Sequence, residues 1–416
     1  MNKEGRLGFI LPHKFFQAEF ASPIRELITR GKHLQKIVHF GAEQVFANAT
    51  TYTCLLFLNK SPQVTFQYST VSSLQAIDAV FDAMEKDESH PDYESALLPA
   101  PEAGGKEWEF FANEAGLVLQ KLRQQPKTLG DVTKKIFQGI ATSADKVYVL
   151  RKIEERENTI LLYSKALEKE VEIEKGILKP FLMGKDVHRY DPLPTDTYIF
   201  FPYFVTENDF RLLEPSEIKE NYPRGWEYLL ENKDTLSKRE KGRYQGKYFS
   251  AFSRPQSMTE YEKAKILTPD IAHGPQFTYD GEGLYHTTTV YSLLFKEDQQ
   301  ESPPYFLGIL NSPVMWFFLS NTGNVLRGGF FRFKTNYLNP FPIPTIDLSN
   351  PSSVKKHDEM VALVNKLLNL KTKDLLIPSD RQRQKELINL IENEIEQLTY
   401  SLYNLNQLEI DVVKSK

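Results

Sequence analysis

Cysteine is almost absent from the chain, and this limits its chemistry. Cys54 is the single cysteine among 416 residues, so the sequence can form no internal disulfide and no cysteine-rich zinc site. It lies in the apolar run TYTCLLFL, which favours a small core residue over a reactive thiol. No apolar run approaches the roughly 20 residues that cross a bilayer, and no charged-then-apolar leader opens the sequence. We therefore expect a cytoplasmic protein.

Several catalytic signatures are missing as well. The sequence has no Gly-Lys-Ser/Thr phosphate loop, and its eight histidines show no zinc-binding spacing. Asp270, Asp280 and Glu282 suggest a metal-dependent nuclease, but the lysine that usually follows the last acid is replaced by Leu284. The prolines of NPFPIP (339–344) indicate an exit from a domain rather than a catalytic Asn-Pro pair. We expect neither a metal site nor an ATP-driven motor.

The first 60 residues follow an α/β pattern. An apolar run over 7–11, just before a proline, is typical of a buried parallel strand. A helix is predicted over 20–31, with a serine as candidate N-cap and a glycine as its stop. Strands rich in β-branched and aromatic residues follow at 34–40 and 51–58. A stretch containing proline and glycine, 98–105, is the first candidate domain boundary.

From about 126 to 345 the pattern changes to short strands separated by turn residues. Segments such as KVYVL, TILLY and TTTVYSLLF are typical strands, and a helical segment over 304–323 interrupts them. This pattern predicts an α+β, mainly β, domain. From 352 to about 405, apolar residues recur at i, i+3, i+4 and i+7, which predicts two amphipathic helices. Such a pair either forms a hairpin on its own protein or binds a partner chain.

Motifs along the whole chain resemble one protein family. GRLGFILPHKFF and IVHFGAEQVFANATTYTCLLFL are similar to the later strands of the catalytic domain of adenine-N6 DNA methyltransferases. IFQGIATSADKVYVL, LKPFLMGKDVHRY and LGILNSPVMWFFL resemble the target-recognition domain of those enzymes and of the combined restriction-modification enzymes called Type IIG. EQLTYSLYNLNQLEI resembles the C-terminal helix end of the same group and of Type I specificity subunits.

The resemblance implies a fold in three parts. Residues 1–105 would hold only the late strands of an α/β methyltransferase sheet. Residues 106–345 would form an α+β, mainly β, target-recognition domain, and residues 346–416 a C-terminal helical hairpin. The function implied is sequence-specific recognition of double-stranded DNA by the C-terminal part of a Type IIG-like restriction-modification enzyme.

The resemblance also indicates which parts of the family's machinery this sequence lacks. The Gly-rich turn that binds S-adenosylmethionine and the Asn-Pro-Pro-aromatic motif are not found, and the sequence starts at the equivalent of the fifth strand. Methylation requires that the adenine be flipped out of the duplex and that its amine be held by acceptors of that motif. We therefore expect this chain to bind no cofactor and to be inactive without the rest of the enzyme.

One residue is implicated in contact with the target base. In the loop 41–51, GAEQVF matches the family loop whose aromatic residue stacks on the flipped adenine, which places Phe46 in that role. The alternative is that Phe46 packs beneath its own loop.

Basic residues supply the candidate DNA contacts. The net charge of −4 neither indicates nor excludes nucleic acid, because DNA-binding proteins need only a local basic surface. The segment 233–255 mixes basic and aromatic residues, which suits phosphate contacts, although a solvated charged surface is the alternative. A second basic cluster lies in 325–338. The main candidates are Lys233, Lys238, Arg239, Lys241, Arg243, Tyr244, Lys247, Arg254, Arg327, Arg332 and Lys334, and the weaker ones are Lys185, Arg189, Lys134, Lys135 and Lys146.

Two other functions remain open. The chain is a subunit of a split methyltransferase if a partner chain supplies the missing strands and pairs with the apolar strand at 7–11. It is a stand-alone specificity subunit if it works through the helices at 352–405. Type I specificity subunits usually carry two recognition domains, whereas this sequence suggests one.

Overall fold

The computed structural model describes residues 5–41, 43–46, 51–105, 107–112, 114–323, 325–373 and 377–415. The chain separates into two compact units, Met1–Lys121 and Leu122–Lys416. In the part described, no helix combines the length and the apolar character needed to cross a bilayer.

The first unit is built on one five-stranded sheet in the order β1-β3-β2-β4-β5. β3 runs antiparallel to both β1 and β2, and β2 runs parallel to β4, so β1, β2 and β4 share one direction. The strands and the helix predicted within the first 60 residues are present, and Cys54 is fully buried on β3. The elements are β1 (Arg6–Pro12), α1 (Ser22–Arg30), β2 (Leu34–His39), β3 (Thr53–Asn59), β4 (Thr65–Val71), α2 (Ile77–Lys86), β5 (Tyr93–Pro99) and α3 (Glu114–Leu122).

The environment predicted for the strand over 7–11 is wrong in both respects. β1 pairs only with the antiparallel β3 among the described strands, so it is an edge strand rather than an internal parallel one. Phe9 and Ile10 are about half exposed, at 55% and 44%. An apolar run does not reveal which strands lie beside it, because edge and central strands draw on the same residue types.

Residues 107–112 belong to the core of the first unit. Trp108 packs against Phe16, and its backbone N–H donates a hydrogen bond to the Phe16 carbonyl at 2.9 Å. The buried Arg25 guanidinium donates two hydrogen bonds to the carbonyl of Gly105, at 2.9 and 3.2 Å. A buried arginine is tolerated where its N–H groups are all satisfied, and here it ties the segment after β5 to α1.

The second unit is mainly β, with helices between its strands. Its elements up to residue 242 are β6 (Lys127–Thr128), α4 (Leu129–Val132), β7 (Thr133–Gln138), α5 (Asp145–Tyr148), β8 (Val149–Glu155), β9 (Thr159–Ser164), β10 (Lys169–Glu174), β11 (Leu178–Leu182), β12 (Thr197–Phe200), β13 (Tyr203–Val205), β14 (Phe210–Leu212), α6 (Pro215–Asn221), α7 (Pro223–Glu231), α8 (Lys233–Ser237) and α9 (Arg239–Gly242). The rest are β15 (Lys265–Pro269), β16 (Ile271–Ala272), β17 (Thr278–Asp280), β18 (Tyr285–His286), β19 (Val290–Phe295), α10 (Pro303–Leu310), α11 (Pro313–Thr322), β20 (Val325–Leu326), β21 (Phe330–Arg332), α12 (Thr335–Leu338), β22 (Pro342–Ile343), α13 (Pro351–Lys371), α14 (Pro378–Leu402) and α15 (Gln407–Lys414).

Three sheets of this unit position the candidate site. A six-stranded sheet has the order β10-β9-β8-β12-β11-β18, and a four-stranded sheet has the order β17-β15-β19-β7. A small sheet, β16-β21-β20, directly follows β15 in the chain through β16. The helical segment expected over 304–323 is two helices, because Ser312 and Pro313 begin a second one: the Ser312 hydroxyl accepts a hydrogen bond from the backbone of Met315 at 3.4 Å.

The C-terminal helices pack on their own unit. α13 and α14 contact each other, and both contact α10. Met360 and Val364 of α13 and Ile395 of α14 are fully buried, and the Tyr403 hydroxyl donates to the Pro342 carbonyl at 2.6 Å. Of the two alternatives for these helices, the structure therefore shows the intramolecular hairpin.

Candidate nucleic-acid interface

A turn of three threonines, residues 287–289, lies where strands of the four-stranded sheet end. It connects β18 to β19, and β7 and β15 both finish beside it. The Gln138 side chain donates to the Thr288 carbonyl at 2.7 Å, and the Ile140 N–H donates to the His286 carbonyl at 2.9 Å. A side chain at Gly139 would lie 2.1 Å from the Thr287 carbonyl oxygen, so this close approach requires glycine.

Segments from two other parts of the chain are hydrogen-bonded to this turn. The Gly184 N–H donates to the Thr289 hydroxyl at 2.9 Å, and the Asp270 N–H donates to the Thr289 carbonyl at 2.8 Å. On the β7 side, the Ala141 carbonyl accepts a hydrogen bond from the backbone of Arg254 at 3.0 Å. We call the turn and the segments 138–141, 184–185 and 269–270 the threonine edge.

The threonine edge brings together basic residues that are far apart in the sequence. Lys185 follows Gly184, Arg254 is bonded to the 138–141 segment, and an Arg332 nitrogen lies 3.6 Å from an Asp270 carboxylate oxygen. Lys185 and Arg254 are exposed and have no carboxylate within 4.0 Å among the described residues. Three predicted DNA-binding residues from separate motifs are therefore each attached to the threonine edge, by the chain, by a backbone hydrogen bond or by an ion pair.

Asp270 lies under this basic surface. Its side chain is almost fully buried, and burial raises the pKa of the carboxyl, an effect that Arg332 and then Lys334 oppose. The carboxylate faces Arg332 and so holds its guanidinium at the small sheet. Lys334 continues the same extended segment, with its ammonium 5.1 Å from the centre of the Tyr337 ring.

β20 and β21 form a hairpin that carries Arg327 at its tip. The tip residues are Arg327, Gly328 and Gly329, and both glycines have positive φ angles, 86° and 78°, that favour glycine. The Gly329 N–H closes the turn onto the Leu326 carbonyl at 3.1 Å. Arg327 is exposed and has no acidic partner within 4.0 Å in the part of the chain described.

Two of the predicted DNA-binding residues of the segment 233–255 are interior residues. The Arg239 guanidinium donates to the backbone carbonyls of Leu236, Thr142, Phe249 and Ala251 at 2.9, 2.6, 2.7 and 2.8 Å. Tyr244 is buried beneath it, with its ring centre 4.6 Å from the guanidinium carbon. Arg239 is therefore a structural residue that joins α9 to the segment after β7, and its charge does not reach the surface.

The other basic residues of this segment are exposed, and several have acidic neighbours. Lys238 pairs with Asp234 at 2.5 Å, Lys247 with Glu214 at 3.0 Å and Arg243 with Glu240 at 3.8 Å. Lys233 lies 5.6 Å from the Phe249 ring centre, and Lys241 is exposed with a left-handed backbone. The basic and aromatic residues of this segment are thus divided: some lie on a surface whose charge is partly neutralised, and others lie in the core.

Arg189 faces the C-terminal helices. Its guanidinium lies 3.7 Å from Glu392 and 3.9 Å from Glu396, both on α14. Lys371 of α13 donates to the Arg189 carbonyl and to the Asp191 carboxylate, each at 2.8 Å. Arg189 therefore takes part in a polar contact between the β-rich part and the helical hairpin, and its predicted DNA contact stays a prediction.

The three lysines near β7 and α5 are all exposed. Lys134 lies 3.9 Å from Glu260, and Lys135 lies 5.5 Å from the Phe137 ring centre. Lys146 lines an open groove together with Lys165 and the 140–147 segment. Lys134 and Lys135 lie on β7 and so flank the threonine edge, and the groove lined by Lys146 also includes Thr288 of that edge.

Two of the residues considered for a nuclease, Asp270 and Asp280, have structural roles. Asp280 is 1% exposed, and its carboxylate accepts hydrogen bonds from the backbone of Glu282 and Gly283 at 3.0 Å and from Lys265 at 2.5 Å. No cluster of potential metal ligands occurs among the described residues. The turn after β17 is therefore closed by its own aspartate.

In the first unit, Phe46 is 46% exposed. The preceding residue, Val45, packs on the apolar cluster beside β2, so the loop turns Phe46 toward solvent rather than under itself. Positions 42 and 47–50 of the loop lie outside the described residues. An exposed aromatic ring is the physical requirement for base stacking, and the stacking role itself stays a prediction.

Sequence reasoning missed an aromatic stack at the same edge of this sheet. His13, after β1, stacks on His39 at the end of β2, with ring centres 4.4 Å apart. Tyr52, just before β3, is nearly parallel to His13 at 6.0 Å and is about half exposed. Burial, and then the neighbouring His13, lower the pKa of His39 to about 4, so His39 is uncharged at neutral pH. The aromatic residues His13, His39 and Tyr52, each at or next to a strand end, could have indicated this stack from the sequence.

Comparisons with known proteins place these features in a family context. A model of the TaqI-like C-terminal specificity domain matches residues 179–343, which include most of the threonine edge and the β20–β21 hairpin. A model of the Eco57I restriction-modification methylase matches residues 1–46. The chain is similar to Type II restriction-modification methyltransferases. The resemblance predicted from its motifs is confirmed.

Curated relatives match nearly the whole chain. The Type II restriction enzyme and methyltransferase RM.Eco57I of Escherichia coli is 25% identical over 99% of this chain and 42% of its own length. The Type II methyltransferase M.BstVI of Geobacillus stearothermophilus is 21% identical over 95% of this chain and 67% of its own length. M.HincII of Haemophilus influenzae is 25% identical, with shares of 89% and 69%. The chain thus spans less than half of RM.Eco57I and about two thirds of the other two.

A solved structure supports the fold. The Type IIL restriction-modification enzyme MmeI, determined in complex with DNA, matches 99% of this chain and 48% of its own chain with a TM-score of 0.51. The identity is 12%, so the likeness concerns the fold alone.

Proposed function

We propose that this chain recognises a specific sequence of double-stranded DNA as part of an adenine-N6 methyltransferase of a restriction-modification system. The observation that carries the proposal is the convergence of Lys185, Arg254 and Arg332 at the threonine edge. Lys185 and Arg254, exposed cations without an acidic partner among the described residues, suit the phosphates of a duplex. The match of residues 179–343 to a specificity domain supports the same role.

The finer assignment of parts follows from this proposal. Residues 1–105 would supply late strands of the catalytic sheet, with Phe46 stacking on the flipped adenine for roughly 1–3 kcal/mol. Residues 106–345 would read the DNA, and 346–416 would brace that domain through contacts such as the one at Arg189. S-adenosylmethionine would serve the complete enzyme. The Gly-Glu-Gly turn after β17 does not fit S-adenosylmethionine, because the backbone N–H groups of Glu282 and Gly283 already donate to the Asp280 carboxylate.

Salt dependence of DNA binding tests the proposal. The full chain is titrated with a random-sequence duplex pool at several salt concentrations, followed by selection and sequencing of the bound duplexes. The logarithm of the affinity should fall linearly with the logarithm of salt, by about 0.9 for each phosphate contacted. The variants Lys185→Ala and Arg254→Ala should each reduce this slope by about one contact. Lys219→Ala, an exposed cation on α6, is the matched control. A wild-type affinity that is flat with salt contradicts the proposal.

A split methyltransferase is the second candidate, and the exposed edge of β1 favours it. Phe9 and Ile10 are exposed on that edge, and Phe20, Ile24 and Leu27 form an exposed apolar stripe on and before α1. An edge strand of this kind is a template for a strand of another polypeptide. Copurification from the native cell, followed by a methyl-transfer assay with S-adenosylmethionine, tests this. Methyl transfer only in the presence of a copurified chain supports it, and a chain isolated alone argues against it.

A stand-alone specificity subunit is the third candidate and would use the C-terminal helices. Leu390 on α14 and Leu408 on α15 are exposed and available for such a contact. Sedimentation of the full chain and of a Leu390→Glu/Leu408→Glu variant separates the possibilities. An assembly that the variant abolishes supports this candidate, and a monomer in both cases excludes it.

A further inference from the structure

We propose that the small sheet formed by β16, β20 and β21 is the element that reads bases, by inserting its hairpin into the major groove. This inference rests on the proposed function and adds to it the identity of the reading surface. The threonine edge supplies basic residues, which suit phosphates. The small sheet, which is joined to that edge through Asp270, offers a different chemistry.

The strand register divides the small sheet into two faces. Phe331 pairs with Ala272 on one side and Val325 on the other, whereas Arg332 pairs with Ile271 and Phe330 pairs with Leu326. Paired residues of an antiparallel sheet point to the same face, and successive residues alternate. One face therefore carries Phe331, Ala272 and Val325, and the other carries Ile271, Leu326, Phe330 and Arg332.

The first face anchors the sheet to the second unit. Phe331 is buried with its ring edge-on to Trp316, at 5.1 Å between centres, and Ala272 is buried beside it. Just beyond β21, Phe333 is fully buried, and its N–H donates to the Asp270 carbonyl at 2.8 Å. The alternation of Phe331 and Phe333 inward with Arg332 and Lys334 outward fixes the orientation of the outer face.

The outer face is exposed and is suited to base edges. Ile271 is 43% exposed, Phe330 36% and the Arg332 side chain 40%. His273, two residues after Ile271, covers the Phe330 ring with 3.6 Å between ring centres. An arginine fork binds guanine O6 and N7 in two hydrogen bonds, and apolar side chains contact the thymine methyl group. The apolar and cationic side chains of this open face therefore complement the base edges of the major groove.

The shape of the element supports the same occupant. The hairpin is a two-stranded ribbon with a three-residue tip, and the major groove, about 12 Å wide, admits such a ribbon. Arg327 at the tip and Arg332 on β21, with Lys334 two residues beyond the strand, give the hairpin region three cations. Asp270 is the nearby acid that holds Arg332. A protein partner would have to desolvate these cations against acids of its own, whereas phosphates line both walls of the groove.

The experiment compares base preference among full-length variants. The consensus selected from a random duplex pool and the affinities for single-base changes are measured for wild type, Arg327→Ala, Arg332→Ala and Phe330→Ala. The variants should lose discrimination at one or two positions by about tenfold or more, while the salt slope falls by no more than about one contact. Thermal unfolding confirms that each variant is folded. Arg327→Ala is the safest, since its side chain lies at a solvent-exposed tip.

The hairpin β13–β14 is the matched control. It also presents an exposed aromatic residue and an arginine, since Phe204 is 51% exposed with Arg211 5.3 Å from its ring centre. Phe204→Ala and Arg211→Ala should leave base preference unchanged. Wild-type preference in all β20–β21 variants, or a uniform loss of affinity with no change of preference, overturns the inference while leaving salt-dependent DNA binding intact. Absence of salt-dependent binding in the wild type would instead remove the proposed function.

Discussion

Arg239→Lys separates a structural role of this side chain from a DNA contact. A phosphate contact tolerates lysine because the positive charge is retained. The structure instead buries Arg239, which is 7% exposed, and its guanidinium donates hydrogen bonds to four backbone carbonyls at once. An ammonium group is a single point and cannot reach all four acceptors.

The size of the effect follows from the lost hydrogen bonds. Hydrogen bonds to a charged group contribute about 1.5–3 kcal/mol each, so losing two of the four lowers the free energy of unfolding by roughly 3–6 kcal/mol. For a unit of this size, one kcal/mol shifts the melting temperature by about 2–4 °C, which gives a decrease of about 6 °C or more.

Thermal unfolding of the full chain followed by circular dichroism measures this decrease. Arg243→Ala, four residues along the same segment with a side chain 74% exposed, is the control and should melt close to the wild type. The reasoning is refuted if Arg239→Lys melts within about 1 °C of the wild type, since a shift that small is below the cost of one lost charged hydrogen bond.

Two further predictions concern buried ionisable side chains in the second unit. His286 is fully buried and bonded to Ser292, and burial lowers its pKa from 6.5 to about 3. Its contribution to stability is complete above pH 6.5 and is lost as the pH falls toward 3, at about 1.4 kcal/mol per pH unit. Urea titrations should therefore show that the free energy of unfolding of His286→Asn decreases less with falling pH than that of the wild type. Asp280→Ala leaves the Lys265 ammonium buried without its carboxylate and should cost about 3–5 kcal/mol. Lys265→Met in the same chain should restore only the part due to the buried ammonium, because the backbone N–H groups of Glu282 and Gly283 still lack their acceptor. A double variant as unstable as the single one would contradict this account of the pair.

The sequence by itself determined the succession of elements. Apolar runs of strand length, helical periodicity and turn residues predicted the β1, β2 and β3 strands, the mainly β middle and the C-terminal helices, because these patterns depend on local spacing. The order of the motifs also indicated the family, which the comparisons confirm. Cys54 was predicted correctly as a core residue for the same local reason.

Only the tertiary structure decided which residues share a surface. β1 lies at the edge of its sheet, although its apolar sequence is typical of an internal strand. Arg239 lies in the interior and Arg189 faces α14, although an arginine in a basic segment is expected at the surface. The sequence alone does not show whether carbonyls, carboxylates or solvent surround an arginine side chain. That depends on contacts between residues far apart in the chain. The hydrogen bonds by which segments 138–141, 184–185 and 269–270 meet at the threonine turn are of this kind, and the one between Gln138 and Thr288 joins residues 150 positions apart.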